Sequence, residues 1–243
     1  SERDNNREIY IMDLVWLDGY TQWEGRNLKN LTKTNGNEWS PRFSPNGEKL
    51  TYSYYESNED NYDIYIIDKN GSNKKNLTAR PGYEILPQFS PDGSFIIFQS
   101  WQFGVKEISF INLLEGIEIN LTAKPNSNDI LTDGNSFSPD GEKIVFCSDR
   151  DGNQNIYLMN SNGSNQIQLT SHPEADYNPV FSPDGSSIVF TSERDGNREI
   201  YIMNNDGSDK KNISNNPAQD WNPKYFSNDK ILFQSLRDGN WEI

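Results

Sequence analysis

Five residues ahead of an aromatic anchor, the chain repeatedly carries a carboxylate: Glu38 before Phe43, Glu84 before Phe89, Asp176 before Phe181 and Asp220 before Tyr225. Before Phe137 that place is held by Thr132, with Asp133 one position out of register. The next residue is aromatic in three copies: Trp39, Tyr177 and Trp221. Carboxylates gathered in a concave, low-dielectric funnel attract cations, raise one another's pKa and steer basic ligands. Aromatic neighbours add contact area for little lost entropy. The pattern therefore fits capture of a partner that presents Lys, Arg or an amino terminus. It equally fits acids that cap their own turns through Asx-type bonds.

Two further aromatic stretches, Tyr54-Tyr55 to Tyr62 and Trp101 to Phe103, stand where other copies carry Arg-Asp-Gly-Asn at Arg150–Asn153 and Arg194–Asn197. They are expected on the same rim, either contacting a ligand or packing on adjacent loops. The Arg-Asp-Gly-Asn stretch itself is explained by its turn and by an arginine-to-carboxylate pairing across neighbouring repeats. Asp149-x-Asp151-Gly152-Asn153 lacks the closing bidentate Glu of a calcium loop. Asn-x-Ser/Thr triplets such as Asn30-Leu-Thr32 and Asn76-Leu-Thr78 reflect strand-end composition.

Catalytic chemistry finds little to work with. His172 is the one histidine, which leaves no multi-histidine metal site, and no Gly-x-Ser-x-Gly nucleophile elbow accompanies it. The expectation is a non-enzyme with no metal and no cofactor, His172 being a surface loop residue. Paired carboxylates could in principle serve a glycosidase, but ring placement alone does not make two of them a catalytic pair.

The positions of these residues are set by a repeat. Phe43, Phe89, Phe137, Phe181 and Tyr225 are separated by 46, 48, 44 and 44 residues. Each anchor is followed by a Ser-Pro-Asp/Asn-Gly turn (degraded to Ser227-Asn-Asp229 in the last copy), an apolar run, a second turn, and an Ile-Tyr-Ile-Met type run. Most copies then close on Asn-Leu-Thr. Gly and Asn accept the positive φ such bends need, and Pro presets φ at a turn's second position. Four strands per repeat, with both faces of the second and third apolar, predict an all-β chain: a β-propeller of four-stranded antiparallel blades whose first strands line the axis.

Phe-Ser-Pro-Asp-Gly, Ile-Val-Phe-x-Ser-x-Arg-Asp-Gly-Asn, Glu-Ile-Tyr-Ile-Met-Asn and Asn-Leu-Thr resemble the repeat of the TolB-like propeller family, a relative of WD-type propellers, over nearly the whole chain. The resemblance implies a periplasmic or extracellular scaffold that grips a protein or peptide at the channel mouth. On this reading the ligand-binding residues are Glu38, Trp39, Tyr54, Glu84, Trp101, Asp176, Tyr177, Asp220 and Trp221. Two alternatives stand beside it. One is an accessory propeller of a larger enzyme such as a prolyl-oligopeptidase-type peptidase. The other is a glycan-binding module stacking sugars on Trp39, Trp221, Tyr54 and Trp101.

One domain over residues 1–243 is expected, with five blades. Residues 1–32 would supply the outer strands, and residues 221–243 the inner strands, of a blade that closes the ring and leaves no edge. Six blades are the alternative. Because the chain starts within a repeat, an excised domain is the expectation. Residues 14–25 insert about nine residues between third and fourth strands; Leu14, Val15, Trp16, Leu17, Tyr20 and Trp23 should pack over the outer edge or dock a neighbour. A net charge of −14 disfavours nucleic acid and anionic membranes, and no apolar run is long enough to insert into a bilayer. The lone Cys147 lies in an apolar run and reads as a buried small hydrophobe.

Overall fold

The computed structural model describes residues 6–16, 23–56, 60–102 and 104–243. Among these, all regular structure is strand. By compactness the chain divides into two units, Ser1–Phe89 and Ser90–Ile243, and the division falls inside the repeat anchored at Phe89.

In the first unit, β1 (Tyr10–Trp16) and β2 (Trp23–Asn30) form a two-stranded ribbon. Next, β3 (Asn37–Phe43), β4 (Lys49–Glu56), β5 (Asn61–Asp68) and β6 (Lys75–Asn76) pair antiparallel in chain order. Beside β5, β7 (Tyr83–Phe89) runs parallel where Tyr83 meets Tyr62. Ile9, Leu31, Leu50, Tyr52 and Ile67 form its core.

In the second unit, β8 (Phe95–Gln102), β9 (Val105–Asn112) and β10 (Glu118–Asn120) pair antiparallel. Two complete four-stranded antiparallel sheets follow. One holds β11 (Asp129–Ile130), β12 (Lys143–Ser148), β13 (Asn155–Asn160) and β14 (Ile167–Gln168). The other holds β15 (Asp176–Phe181), β16 (Ser187–Ser192), β17 (Glu199–Asn204) and β18 (Lys211–Asn212). The antiparallel pair β19 (Asp220–Ser227) and β20 (Lys230–Ser235) ends it.

Alternation along β12 and β13 shows why both faces are apolar. Ile144, Phe146, Tyr157 and Met159 pack toward Ile97, Ile108 and Leu121 of the preceding sheet. Val145, Ile156 and Leu158 point the other way, into Phe181, Ile188 and Phe190 of the following one. Sheets thus stack face to face, and each fully buried side chain of this kind contributes about 1.5–3 kcal/mol. Cys147 sits in the same strand, buried, and burial pushes its thiol up to about 12.

The repeated polar motifs are fastenings. In Ser182-Pro-Asp-Gly185, the Gly185 N–H donates to Ser182 O at 2.9 Å, and Ser182 Oγ donates to Asp184 Oδ1 at 2.6 Å. That hydroxyl and the Ser186 amide hold the Asp184 carboxyl at about 2. The Asn-Leu-Thr triplet is a clasp between third and fourth strands. Thr78, Thr122 and Thr170 Oγ1 accept the N–H of Ile64, Ile108 and Ile156, each at 2.9 Å. Asn76 Oδ1 accepts from the N–H of Thr78 and of Ala79 at 3.0 Å. Composition alone did not explain these triplets; strand closure does.

Sheet-to-sheet fit also depends on Gly163, which has φ 82° and whose added Cβ would lie 2.9 Å from the Leu121 carbonyl oxygen. Gly163→Ala is expected to cost roughly 1–3 kcal/mol by urea denaturation. Gly196→Ala, at φ 89° with open space around it, should cost only the conformational part. Equal losses at the two sites would remove the packing argument.

Candidate functional site

Strand register places each acid opposite a fixed partner. Asp176 pairs with Ser192, Asp220 with Ser235 and Asp129 with Ser148. Two residues beyond that serine stands the arginine of Arg-Asp-Gly-Asn, and it folds back onto its own sheet. Arg194 Nε donates to Ser192 Oγ at 2.7 Å, and Nη2 reaches the Asp176 carboxylate at 3.0 and 3.1 Å. Its guanidinium lies 4.5 Å over the Tyr201 ring. Arg150 repeats this on Asp129 (2.7 Å) and Tyr157 (4.7 Å), and Arg237 on Asp220 (2.7 Å) and Phe233 (5.4 Å). The pairing is therefore within one repeat, correcting the expected pairing across repeats: a hairpin brings the two side chains to one sheet end. The motif's aspartate is used too, Asp195 accepting from the Tyr201 hydroxyl and from Asn212 Nδ2.

The acid of the Phe137 repeat is Asp129, missed in the sequence because residues 131–136 lengthen the loop before the anchor. Asp133 instead lies 3.5 Å from Lys224, and Thr132 Oγ1 donates to the Pro179 carbonyl at 3.4 Å. Glu84, Asp129, Asp176 and Asp220 are all fully buried. Glu84 takes Arg80 Nε at 3.2 Å. The cations these acids hold are the chain's own arginines, so they are internal charges beneath the surface.

Glu38 differs. Across from it stands Tyr54, and Glu56 occupies the place of the arginine. Tyr54 donates to Glu56 Oε2 at 2.6 Å and packs edge-on against Tyr65 at 5.2 Å. Glu38 is buried with Glu8, and both carboxylates share the Thr32 hydroxyl, at 3.1 and 2.7 Å. Thr34 also donates to Glu38. Burial, reinforced by the Glu8 charge against the opposing threonine bonds, pushes the Glu38 carboxyl up to about 7.

The aromatic residues form the surface. In the second unit, the Trp221 and Tyr177 rings meet at 5.3 Å, and Arg198 stacks 4.4 Å over Trp221 while its Nε contacts Glu193 Oε1 at 3.0 Å. Beside them opens a cleft of about 580 Å³ lined by Glu174, Glu193, Arg194, Asn197, Arg198 and Gln219. Trp101 is exposed, with Lys106 Nζ 5.3 Å from its ring. In the first unit, exposed Trp39 carries Arg7 at 3.5 Å, and Tyr55, Tyr62 and Tyr83 stack in series at 4.6 and 5.6 Å. Phe103, Leu17 and Tyr20 lie outside the described residues. Sequence reading missed Arg7 and Arg198. Their signal was the Asn-Arg-Glu-Ile spelling shared by Asn6–Ile9 and Asn197–Ile200, each followed by a tryptophan in the first strand of the next repeat, Trp39 and Trp221.

His172 Nδ1 accepts from the Glu174 N–H at 3.1 Å in a loop. Among the described residues no group of three or more His, Cys, Asp or Glu is placed to hold a metal ion.

Residues 20–134 and 128–243 each match the family described as TolB beta propeller domain. No curated protein matches the chain. Solved structures share the fold. A TolB-type protein from Agrobacterium tumefaciens is 22% identical, with 89% of this chain and 83% of that one covered and a TM-score of 0.63. TolB from Acinetobacter baumannii is 21% identical, covering 89% and 56%, with a TM-score of 0.65. A puromycin-hydrolyzing peptidase from Mycobacterium tuberculosis is 13% identical, covering 86% and 36%, with a TM-score of 0.71. The chain thus spans little more than half of the Acinetobacter protein and about a third of the peptidase.

Proposed function

The chain belongs to the TolB β-propeller family, and from that premise we propose that it is a non-enzymatic scaffold of five blades that binds a protein or peptide partner, in the periplasm or outside the cell. The carrying observation is the Trp221, Tyr177 and Arg198 wall beside the 580 Å³ cleft. Trp, Tyr and Arg are the side chains that dominate interface energetics. The buried acids position this wall: Asp220 lies directly before Trp221, and its N–H donates to the Arg198 carbonyl at 2.8 Å. A partner with basic groups is favoured by field rather than by contact, since the second unit carries 22 of the 36 Asp and Glu but only 11 of the 22 Lys and Arg.

Fluorescence titration with Lys- and Arg-rich peptides tests this. Trp221→Ala is expected to weaken binding at least about tenfold, with affinity falling as salt rises. Unchanged affinity in Trp221→Ala would remove the aromatic wall from the site, and no binding by any basic peptide would remove the partner chemistry.

The likeness to the peptidase favours a second reading, an accessory domain of a larger enzyme. Under it Trp221→Ala changes turnover by the parent enzyme and captures no peptide differently. A glycan reading stacks sugars on Trp39, Trp221, Tyr54 or Trp101, and titration with oligosaccharides that leaves tryptophan emission unchanged would dismiss it.

A further inference from the structure

The β1–β2 ribbon has two unlike faces. Cross-strand partners share a face, so Leu14 with Gly25 and Trp16 with Trp23 lie on one side, and Asp13 with Arg26 and Val15 with Glu24 on the other. Met12, two residues before Leu14 in the same strand, shares the first side by alternation, and its Sδ lies 2.7 Å from the position a Gly25 Cβ would take. Met12, Leu14, Trp16 and Trp23 are then 53, 67, 46 and 64% exposed on one uncharged surface. On the opposite face Arg26 and Glu24 form an ion pair at 2.7 Å, and Asn27 Nδ2 donates to Asp13 at 2.8 Å.

This surface exceeds what a repeat requires. The equivalent strand β17 ends at Asn204, the counterpart of Asp13, so Leu14–Trp16 extend past it. Elsewhere the fourth strands β6, β10, β14 and β18 have two or three residues, against eight in β2. The Trp16 and Trp23 rings, 5.2 Å apart and edge-on, brace the extension. Its outer edge is guarded against strand addition by Arg26, Lys29 and a left-handed Asn27 at φ 53°. What the ribbon offers is its face.

We propose that this face is a dimer interface and that its occupant is the same face of a second copy of this chain. A twofold contact sets the paired tryptophans of one copy against the uncharged face of the other. Self-association there also meets little repulsion. The chain carries −14, but the ribbon's charges balance, Asp13 and Glu24 against Arg26 and Lys29. Covering the four side chains removes roughly 500 Å² per copy, or about 1,000 Å² in total, the lower bound of a specific interface. The dimer is therefore weak, with a Kd of roughly 10–100 μM.

Sedimentation equilibrium across about 5 to about 500 μM should show a monomer passing to a dimer. Leu14→Arg and Trp23→Glu, each placing like charges against one another, are expected to raise Kd at least about tenfold with an unchanged Tm. Arg26→Glu, on the far face, should leave Kd as it is. A parent chain monomeric throughout overturns the proposal, including one that instead sediments with phosphatidylcholine vesicles. So does an Arg26→Glu variant that dissociates as readily as Leu14→Arg.

Discussion

Arg150→Ala is expected to lose about 3–5 kcal/mol of stability. Arg150 is 5% exposed and Asp129 wholly buried, so removing the guanidinium leaves a carboxylate with neither cation nor water. The variant also forfeits the stacking on Tyr157 and Phe146 and the bonds to Ser148 Oγ and Gln166 Oε1. Arg237 makes the same pair on Asp220 but is 39% exposed, so water replaces much of what Arg237→Ala removes, and about 1 kcal/mol is expected there. Replacing both members, Arg150→Met with Asp129→Leu, should recover most of the loss, because an apolar pair carries no desolvation cost. Urea denaturation decides the matter: an Arg150→Ala protein within about 1 kcal/mol of the parent would show the pair to be ornamental.

Glu38→Gln is expected to act through pH. Buried and beside Glu8, Glu38 keeps its proton up to about 7, against 4.5 for the free side chain. Between those values the folded state holds a proton that the unfolded state has released. Stability then falls as pH rises through the window and levels off above it. The ceiling is about 3 kcal/mol, from about 1.4 kcal/mol per pH unit. Glutamine keeps the neutral shape, so the variant should match the parent near pH 4 and exceed it by roughly 2–3 kcal/mol at pH 8. Parallel stability curves for the two proteins between pH 4 and 8 would mean that Glu38 ionises as an ordinary surface acid.

Most of the strand plan was legible in the sequence because it rests on local chemistry. The Ser-Pro-Asp-Gly turns contain their own partners within one repeat, and the Ile144–Phe146 alternation declares two apolar faces whatever packs on them. The Asn-Leu-Thr triplets, which read as composition, owe their role to a third-strand N–H that only strand pairing brings to the threonine. What escaped depends on counts that composition does not carry. Asp129 fills the acid's place eight residues before its anchor because a longer loop shifts the numbering while the sheet register holds. The acids' burial followed from arginines whose reach back to the same sheet is a matter of hairpin geometry. Glu38 and Glu84 both lack the hairpin arginine, since Tyr54-Tyr55-Glu56 and Ser100-Trp101-Gln102 replace Ser192-Glu193-Arg194. Glu84 takes Arg80 from its own loop, while Glu38 lies beside the Glu8 charge. The uncharged side of the ribbon follows plain alternation in β1, through Met12, Leu14 and Trp16, whereas in β2 the extra residue opposite Met12 reverses the parity beyond Arg26.

Cys147 has a practical corollary. Its thiol is enclosed between sheets and held protonated far above neutral pH, so maleimides and spin-label reagents find no thiolate there. A cysteine introduced at Leu14 or at Trp101 would react alone, without deleting the native residue. Distances and mobilities on either surface then become measurable in an otherwise unaltered chain.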